Sequence, residues 1–476
     1  MNSLHLSHAA ERIGGELIGE DVAFSAVGSD SRNLQPGALF VALKGPHFDG
    51  HAFVPQALEQ GACALLVSER QAVETPQLLV RDTRLGLGRL AALWRDSFDV
   101  PVVGITGSNG KTTVKELIAA ILGLRGPVLA TRGNLNNDIG LPLTLLRLQE
   151  EAYAVVEMGA NHPGEIGYLT QIARPDVAVI TNAGAAHLEG FGDLDGVARG
   201  KGEILGGLDA LGVAVLNADD DYFPLWRQFV GERRMLTFGT SERADVRGEP
   251  ERAETRWTEA GFSSHMPVNY RDTHFEIGLA LAGRHNLMNA LAAVAATLAL
   301  GCSIEQIQQG LAAVEPVSGR LRSRMTPAGL RLIDDTYNAN PDSVAAAVQV
   351  LRQAPGNQWL VLGDLAELGG RAAELHGEIG QRARHSGLRH LFTLGPLSRH
   401  AAERFGEGAR SFDDIETLVT ALRGETAAGD TLLIKGSRSA GMERVVQQGQ
   451  ALPSSSNRCT TRSMPALREP LISSVS

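Results

Sequence analysis

The sequence predicts an α/β protein of three domains with a mostly parallel central sheet. Three observations carry that expectation. The chain has 476 residues, too many for one hydrophobic core. Short β-rich runs alternate with helical patterns from end to end. The strand-like runs end in polar or Gly-rich loops, the position at which a doubly wound sheet binds ligands. In order, residues 1–83 offer ALFVAL as a strand, AFVPQALEQGA as a helix and CALLVS as a strand. Residues 84–314 open with a helical stretch over 85–94 and continue with PVVGIT, AYAVVEMG, DVAVITNAG and GVAVLNADD as strands. The Ala-rich run from Ala290, ALAAVAATLALG, reads as a buried helix too short to span a membrane. A turn-rich stretch at 316–320 marks the next boundary. Residues 315–450 then repeat the pattern with LRLIDDTY, WLVLGDL, HLFTLG and TLLIKGS. Residues 451–476 are Ser-rich and aperiodic, the signature of a disordered tail.

Composition removes several classes of function. With 54 acidic and 44 basic side chains the net charge is -10, and no basic stripe offers the phosphate neutralisation that nucleic acid requires. An anionic small substrate stays open, because helix N-termini and a few placed cations hold phosphate locally. Cys63, Cys302 and Cys459 are scattered, without disulfide or zinc spacing. The N-terminus has no basic region followed by an apolar stretch, and no apolar run reaches membrane-spanning length. The expectation is a cytoplasmic protein.

The strongest local signal is GITGSNGKTTVKE, from Gly104, which follows a strand and opens a helix. Val114, Leu117, Ile118, Ile121 and Leu122 then recur at helical spacing on one apolar face. Gly107 and Gly110 permit a backbone that turns N–H groups of Ser108, Asn109 and their neighbours toward phosphate oxygens, and the helix N-terminus adds partial positive charge. Lys111 is placed to reach the β- and γ-phosphates, with the hydroxyl of Thr112 for Mg2+ and Thr113 beside it. The strict G-x-x-x-x-G-K-S/T pattern fails, since Ile105 stands at its first glycine. GKTT between strand and helix nevertheless points to ATP.

Other polar groups are ambiguous when read singly. Glu157 ends the strand AYAVVEMG and reads equally as a ligand for Mg2+ or as a solvated strand-end carboxylate. His187, in AAHLEGFG, reads as a capping or packing residue, and Lys201, in VARGKGEI, as a surface lysine. Asn286 and Asn289 share one helical face and suit backbone hydrogen bonding or one common ligand. DDTYNANPDS, with Asp334, Asp335, Tyr337, Asn338 and Asn340, is either a ligand loop or a well-capped turn.

Taken together, the segments resemble the Mur ligases, which add amino acids to the UDP-linked peptidoglycan precursor. The resemblance runs from SDSRNLQPGALFVALKG to LLIKGSRSAGMERVV, through TGSNGKTT, VEMGANHPGEIG, TNAGAAHLEGFG, GRHNLMNA, SGRLR and DDTYNANPDS in order. DDTYNANPDS and GDLAELG resemble the MurF branch, which attaches D-alanyl-D-alanine, and the DNPR-type signature usual in the MurE branch is absent. The resemblance implies an N-terminal UDP-binding α/β domain, a central P-loop ATPase domain and a C-terminal Rossmann-like domain, acting as a monomer. It makes Glu157 and His187 ligands of Mg2+ beside Thr112. It makes Lys201 a lysine carried as a carbamate, whose negative charge holds a second Mg2+. Asn286, Asn289, Arg320, Asp335 and Asn340 are similar to residues contacting ATP. Ser31, Arg32, Lys44 and the stretch Asp49, Gly50, His51 correspond to the UDP-handling region. Asn134, Asn136 and Asn137 correspond to groups binding the UDP-sugar. Asp364, Glu367, Lys435, Gly436, Ser437 and Arg438 correspond to the dipeptide side.

The implied reaction begins with attack of a tripeptide carboxylate on ATP to give an acyl phosphate. The amine of D-alanyl-D-alanine then captures it, with Lys111, Lys201, His187 and Arg320 in the catalytic centre and the third domain closing over the second. The neighbouring alternatives are a MurE-type ligase and a folylpolyglutamate synthase. A nucleotide-gated switch without ligation leaves the third domain with LIKGSR unexplained. After MERVV the family continues a terminal helix, whereas QQGQALPSSS is expected to break it here.

Overall fold

The computed structural model describes residues 3–45, 48–186, 188–258 and 261–450. His187 and the tail expected over 451–476 lie outside them. The chain builds three principal sheets, and the predicted strands appear within each.

The central sheet has ten strands. Seven run parallel in the spatial order Val128–Ala130, Tyr153–Glu157, Val102–Thr106, Val177–Ile180, Val213–Asn217, Arg234–Gly239, Val246–Gly248. Its inner strands are near-continuous apolar runs because helices cover both faces. On one face Val103, Ile105, Val155 and Val179 meet Val114, Leu117, Ile118 and Ile121 of the helix Lys111–Gly123, together with the Ala-rich helix Arg284–Ala299. On the other, Ala154, Val156, Ala178 and Ile180 join a core that continues through Leu87, Leu90 and Trp94 of the helix Thr83–Asp96 into the N-terminal segment. The chain leaves Val102–Thr106 for the edge strand Val128–Ala130 on one side, whereas it leaves the adjacent Val177–Ile180 for Val213–Asn217 on the other. That reversal opens a crevice beyond the C-terminal end of Val102–Thr106, where the glycine-rich loop begins.

The antiparallel strands Glu254–Thr258, Gly261–Tyr270 and Thr273–Leu279 extend this sheet. The sequence reading assigned them no element. Phe262 leaves the central core and is buried in that of the C-terminal unit, so the extension braces the two.

The N-terminal sheet has five strands, with Leu39–Val41, Ala64–Val67 and Gln77–Leu79 adjacent and parallel. The C-terminal sheet has six, in the order Arg322–Met325, Arg331–Asp335, Thr431–Lys435, Gln358–Gly363, His390–Leu394, Ala409–Phe412. All but the first are parallel. The expected break after MERVV is corrected. A helix spans Glu443–Gln450, and Met442, Val445 and Val446 bury against Leu332. Among the described residues no helix is long and apolar enough to cross a membrane.

Candidate active site

Beyond the C-terminal ends of the central strands lies a cleft of ≈ 1530 Å³, floored by the central sheet and roofed by the C-terminal unit. Gly107 and Gly110 have φ of 143° and 85°, a region that disfavours side chains. A Cβ at Gly107 would lie 1.9 Å from the Thr181 hydroxyl, and one at Gly110 would lie 2.2 Å from Oδ1 of Asn289. The loop is held from the next strand end. Asn182 accepts from the Asn109 N–H at 3.0 Å and donates to the Asn109 carbonyl at 3.1 Å. The Ser108 hydroxyl exchanges hydrogen bonds with the backbone of Gly184. Lys111 Nζ donates to the Gly107 carbonyl at 2.7 Å. Burial pushes its pKa down, Arg320 adds to that, and Glu157 opposes it.

Strand pairing sets Glu157 opposite Ile105, level with the loop. It is buried, which rules out the solvated strand-end reading. Its Oε2 accepts from the Thr112 hydroxyl at 2.8 Å and its Oε1 from Nδ2 of Asn136 at 2.9 Å. The same Thr112 hydroxyl accepts from Nη2 of Arg320 at 2.9 Å. The Arg320 guanidinium lies over the Tyr337 ring, 4.2 Å from its centroid, a contact that attracts the cation and holds it near the loop. Two carboxylate oxygens, a hydroxyl and two cations therefore meet where a nucleotide's terminal phosphates would end.

DDTYNANPDS forms the roof. Asn340 caps the helix Pro341–Arg352 in a reciprocal pair with Ser343 and donates from Nδ2 to Oδ1 of Asn109 at 2.8 Å. Asp342 accepts from the Ala185 N–H at 3.2 Å. Asp335 pairs with Lys435 Nζ at 2.6 Å, and Lys435 also donates to the Asn338 carbonyl at 3.0 Å. Asn286 donates to the Ala282 carbonyl and Asn289 to Oδ1 of Asn286. The two amides are thus partly spent on local bonds while still lining the cleft. Thr113, Asn134, Asn137, Glu367, Ser437 and Arg438 line it too.

Lys201 is no surface lysine. It is 1% exposed, its Nζ has no hydrogen-bond partner among the described residues, and it stands 5.3 Å from the centroid of the Phe191 ring. Burial lowers its pKa to about 7, with the Lys111 charge pushing the same way and Glu165 and Glu203 opposing.

Other expected site residues stand apart from this cleft. Ser31, Arg32, Lys44, Asp49, Gly50 and His51 belong to the N-terminal unit and do not line it. There Ser31 donates to Gln56, Arg32 pairs with Asp30, and Asp49 joins Lys44 at 3.2 Å to His51 at 2.6 Å. The backbone of Leu43 lies 2.6 Å from where a Cβ on Gly50 would fall, so glycine is required at that approach. Asp364 needs correction. Its carboxylate faces away from the cleft, accepts from the Ser398 N–H at 2.7 Å and fills the space beside Gly395. Only its main-chain carbonyl points back, taking both the N–H and the hydroxyl of Ser437.

Three family models match this chain. They are described as Mur ligase family, catalytic domain, over residues 23–95; Mur ligase middle domain, over 105–297; and Mur ligase, glutamate ligase domain, over 319–438. The UDP-N-acetylmuramoyl-tripeptide–D-alanyl-D-alanine ligase of Escherichia coli (strain K12) is 45% identical over 451 residues, 94% of this chain and 98% of that protein. The chain belongs to the Mur ligase family. Two solved Mur ligases share its architecture. MurF from Acinetobacter baumannii has a TM-score of 0.88 at 35% identity, covering 95% of this chain and 99% of that one. MurF ligase from Thermotoga maritima in complex with ADP has a TM-score of 0.80 at 32% identity, covering 90% and 97%.

Sequence reasoning passed over two groups in this Mur ligase cleft. Asn182, in TNAGAAH, braces the phosphate loop, and its place at a strand end was the available signal. His285, in GRHNLMNA, lines the cleft with its pKa lowered to about 4 by burial, against the pull of Asp335. Nothing local in the sequence marks that residue.

Proposed function

We propose that this Mur ligase joins D-alanyl-D-alanine to UDP-N-acetylmuramoyl-tripeptide, converting ATP to ADP and phosphate. The observation that carries the reading is the 45% identity, over nearly the full length, to a ligase of that name. The phosphate loop, Glu157, Arg320 and the DDTYNANPDS loop meeting in one cleft add support. Residues 1–83 then handle the UDP moiety, 84–314 bind ATP, and 315–450 bring the dipeptide.

A terminal carboxylate oxygen of the tripeptide attacks the γ-phosphorus as the bond to the β-phosphate oxygen breaks, leaving an acyl phosphate and ADP. The amine of D-alanyl-D-alanine adds to the acyl carbon, forms the C–N bond, loses a proton to solvent and expels phosphate. The loop N–H groups, Lys111 and Arg320 cancel charge as these anions converge. Asn134, Asn136 and Asn137 orient the UDP-substrate. Glu367, Ser437 and Arg438 face the dipeptide, while Asn286, Asn289, Asp335 and Asn340 contact the nucleotide. The Asn340–Asn109 and Arg320–Thr112 bonds hold the third unit on the second, which keeps water from the acyl phosphate.

The donor set fits Mg2+. The Thr112 hydroxyl and the Glu157 carboxylate are hard oxygen ligands facing each other at 2.8 Å, and the resemblance adds His187. Bound there, Mg2+ neutralises developing charge on the transferred phosphoryl group. The Lys201 site fits a carbamate. A buried amine without a hydrogen-bond partner among the described residues, its pKa about 7, is neutral often enough to take up CO2, forming an N–C bond and releasing a proton. The resulting anion would serve a second Mg2+.

Phosphate release measured with two substrate pairs in parallel tests the reading. Release only with UDP-tripeptide and D-alanyl-D-alanine, together with a UDP-pentapeptide product, is expected. Release only with UDP-dipeptide and a diamino acid would move the chain to the MurE reaction. Release with neither pair, from folded protein that binds ATP, would remove the ligase assignment.

A further inference from the structure

Three of the largest fully buried side chains are lysines: Lys201, Lys435 and Lys115. The reading above uses Lys201 as a carbamate, Lys435 is paired with Asp335 at the roof of the cleft, and Lys115 has no role in it. Lys115 sits one turn beyond Lys111 on the helix Lys111–Gly123 and is 2% exposed. A buried ammonium is unfavourable unless its charge and its N–H groups are met. Its Nζ donates to the main-chain carbonyl of Thr131 at 2.6 Å and pairs with the Glu116 carboxylate at 2.8 Å.

Thr131, itself buried, follows the strand Val128–Ala130 and opens the loop that carries Asn134, Asn136 and Asn137. Its N–H donates to the Val155 carbonyl at 3.1 Å, and its hydroxyl accepts from the Glu157 N–H at 3.0 Å. Five residues on, Asn136 returns to Glu157 through Nδ2, and its carbonyl accepts from the Gly159 N–H at 2.8 Å. The asparagine loop is therefore closed on Glu157 at both ends, and the Lys115 ammonium is what fastens its first residue to the phosphate-loop helix.

We propose that Lys115 is a positioning residue that locks the asparagine loop and Glu157 in register with the phosphate loop. It touches no reacting atom and acts through Thr131. The proposal rests on the ligase reading above for the substrate assayed. Loss of the ammonium frees the loop start while leaving Gly107, Gly110 and Lys111 as they are. The defect should therefore fall on the UDP-substrate and on the chemical step rather than on nucleotide affinity.

The test is steady-state kinetics of Lys115→Met with UDP-tripeptide, ATP and D-alanyl-D-alanine, beside ADP binding by calorimetry without metal. The expected result is a fall in kcat/KM for UDP-tripeptide of about 10–100-fold, with ADP affinity unchanged. An unchanged kcat/KM, or ADP affinity lost in the same proportion, would overturn the proposal. Should Lys115→Met fail to fold, Thr131→Val decides, since it keeps the carbonyl that Lys115 holds and removes only the hydroxyl under the Glu157 N–H. A lowered kcat with unchanged ADP affinity supports the relay through Thr131, and a wild-type kcat overturns it. Wild-type turnover in the same assay separates the two claims: its absence counts against the ligase reading, not against Lys115.

Discussion

Two buried lysines, Lys435 in the C-terminal unit and Lys201 in the central one, have surroundings that differ in kind. In the C-terminal unit Lys435 is met by the Asp335 carboxylate at 2.6 Å and by the Asn338 carbonyl. In the central unit Lys201 is as deeply buried, yet among the described residues its Nζ meets no hydrogen-bond acceptor; it stands over the Phe191 ring, repelled by Lys111 and attracted through space by Glu165 and Glu203. A paired buried cation holds structure together, because removing either partner strands the other. An unpaired one detracts from stability and persists where its chemistry is used.

Substitution by methionine should separate the two lysines most sharply at Lys435. Lys435→Met leaves the largely buried Asp335 carboxylate accepting from the Leu321 N–H at 3.2 Å but without its cation, and is expected to cost about 3 kcal/mol in urea unfolding. A loss under about 1 kcal/mol would mean that the pair is screened and the contrast unfounded. Lys201→Met should act with the opposite sign, stabilising the fold by on the order of 1–3 kcal/mol while turnover is lost. Lys201→Ala should be severely impaired and partly restored by a small carboxylic acid. Full activity in Lys201→Ala would eliminate an essential carbamate.

The same contrast should show in pH dependence. With a folded-state pKa of about 7 against the ordinary 10.5, unmodified Lys201 binds its proton less readily folded than unfolded. Between those values the unfolded chain holds the extra proton, so stability rises as pH climbs from about 7 toward 10.5. Below about 7 both states are protonated and the penalty is constant. Chemical unfolding across that range should show the rise in CO2-free wild-type protein and its loss in Lys201→Met. The smallest effect is expected at the seam between the two units. Asn340→Ala removes a helix cap and the bond to Asn109, costing about 1 kcal/mol and raising KM for ATP. An unchanged KM would leave Asn340 as a cap alone.

The central floor was legible because its signals are local. Val102–Thr106 and Val177–Ile180 are largely apolar runs, and GKTT follows the first of them after the three residues Gly107, Ser108 and Asn109. The antiparallel strands were also present as alternation: Gly261–Tyr270 buries Phe262, Ser264, Met266 and Val268 at every second position. A search for continuous apolar runs passes over that pattern. Lys115 and His285 were not legible, and Lys201 was reached only through the family resemblance, because their character comes from what packs around them rather than from their sequence neighbours. Asp364 misled for a related reason. It sits at a strand end, as ligands do, but its carboxylate turns to the Ser398 N–H ahead of the helix Arg399–Phe405.

Isotope transfer addresses the central claim most directly. UDP-tripeptide labelled with 18O in its terminal carboxylate would be turned over with ATP and D-alanyl-D-alanine, and the released phosphate analysed by mass spectrometry. Attack of that carboxylate on the γ-phosphorus requires one labelled oxygen in each phosphate released. Phosphate free of label, alongside normal amide formation, would contradict the acyl phosphate route and the placement of the substrate carboxylate beside Lys111, Glu157 and Arg320.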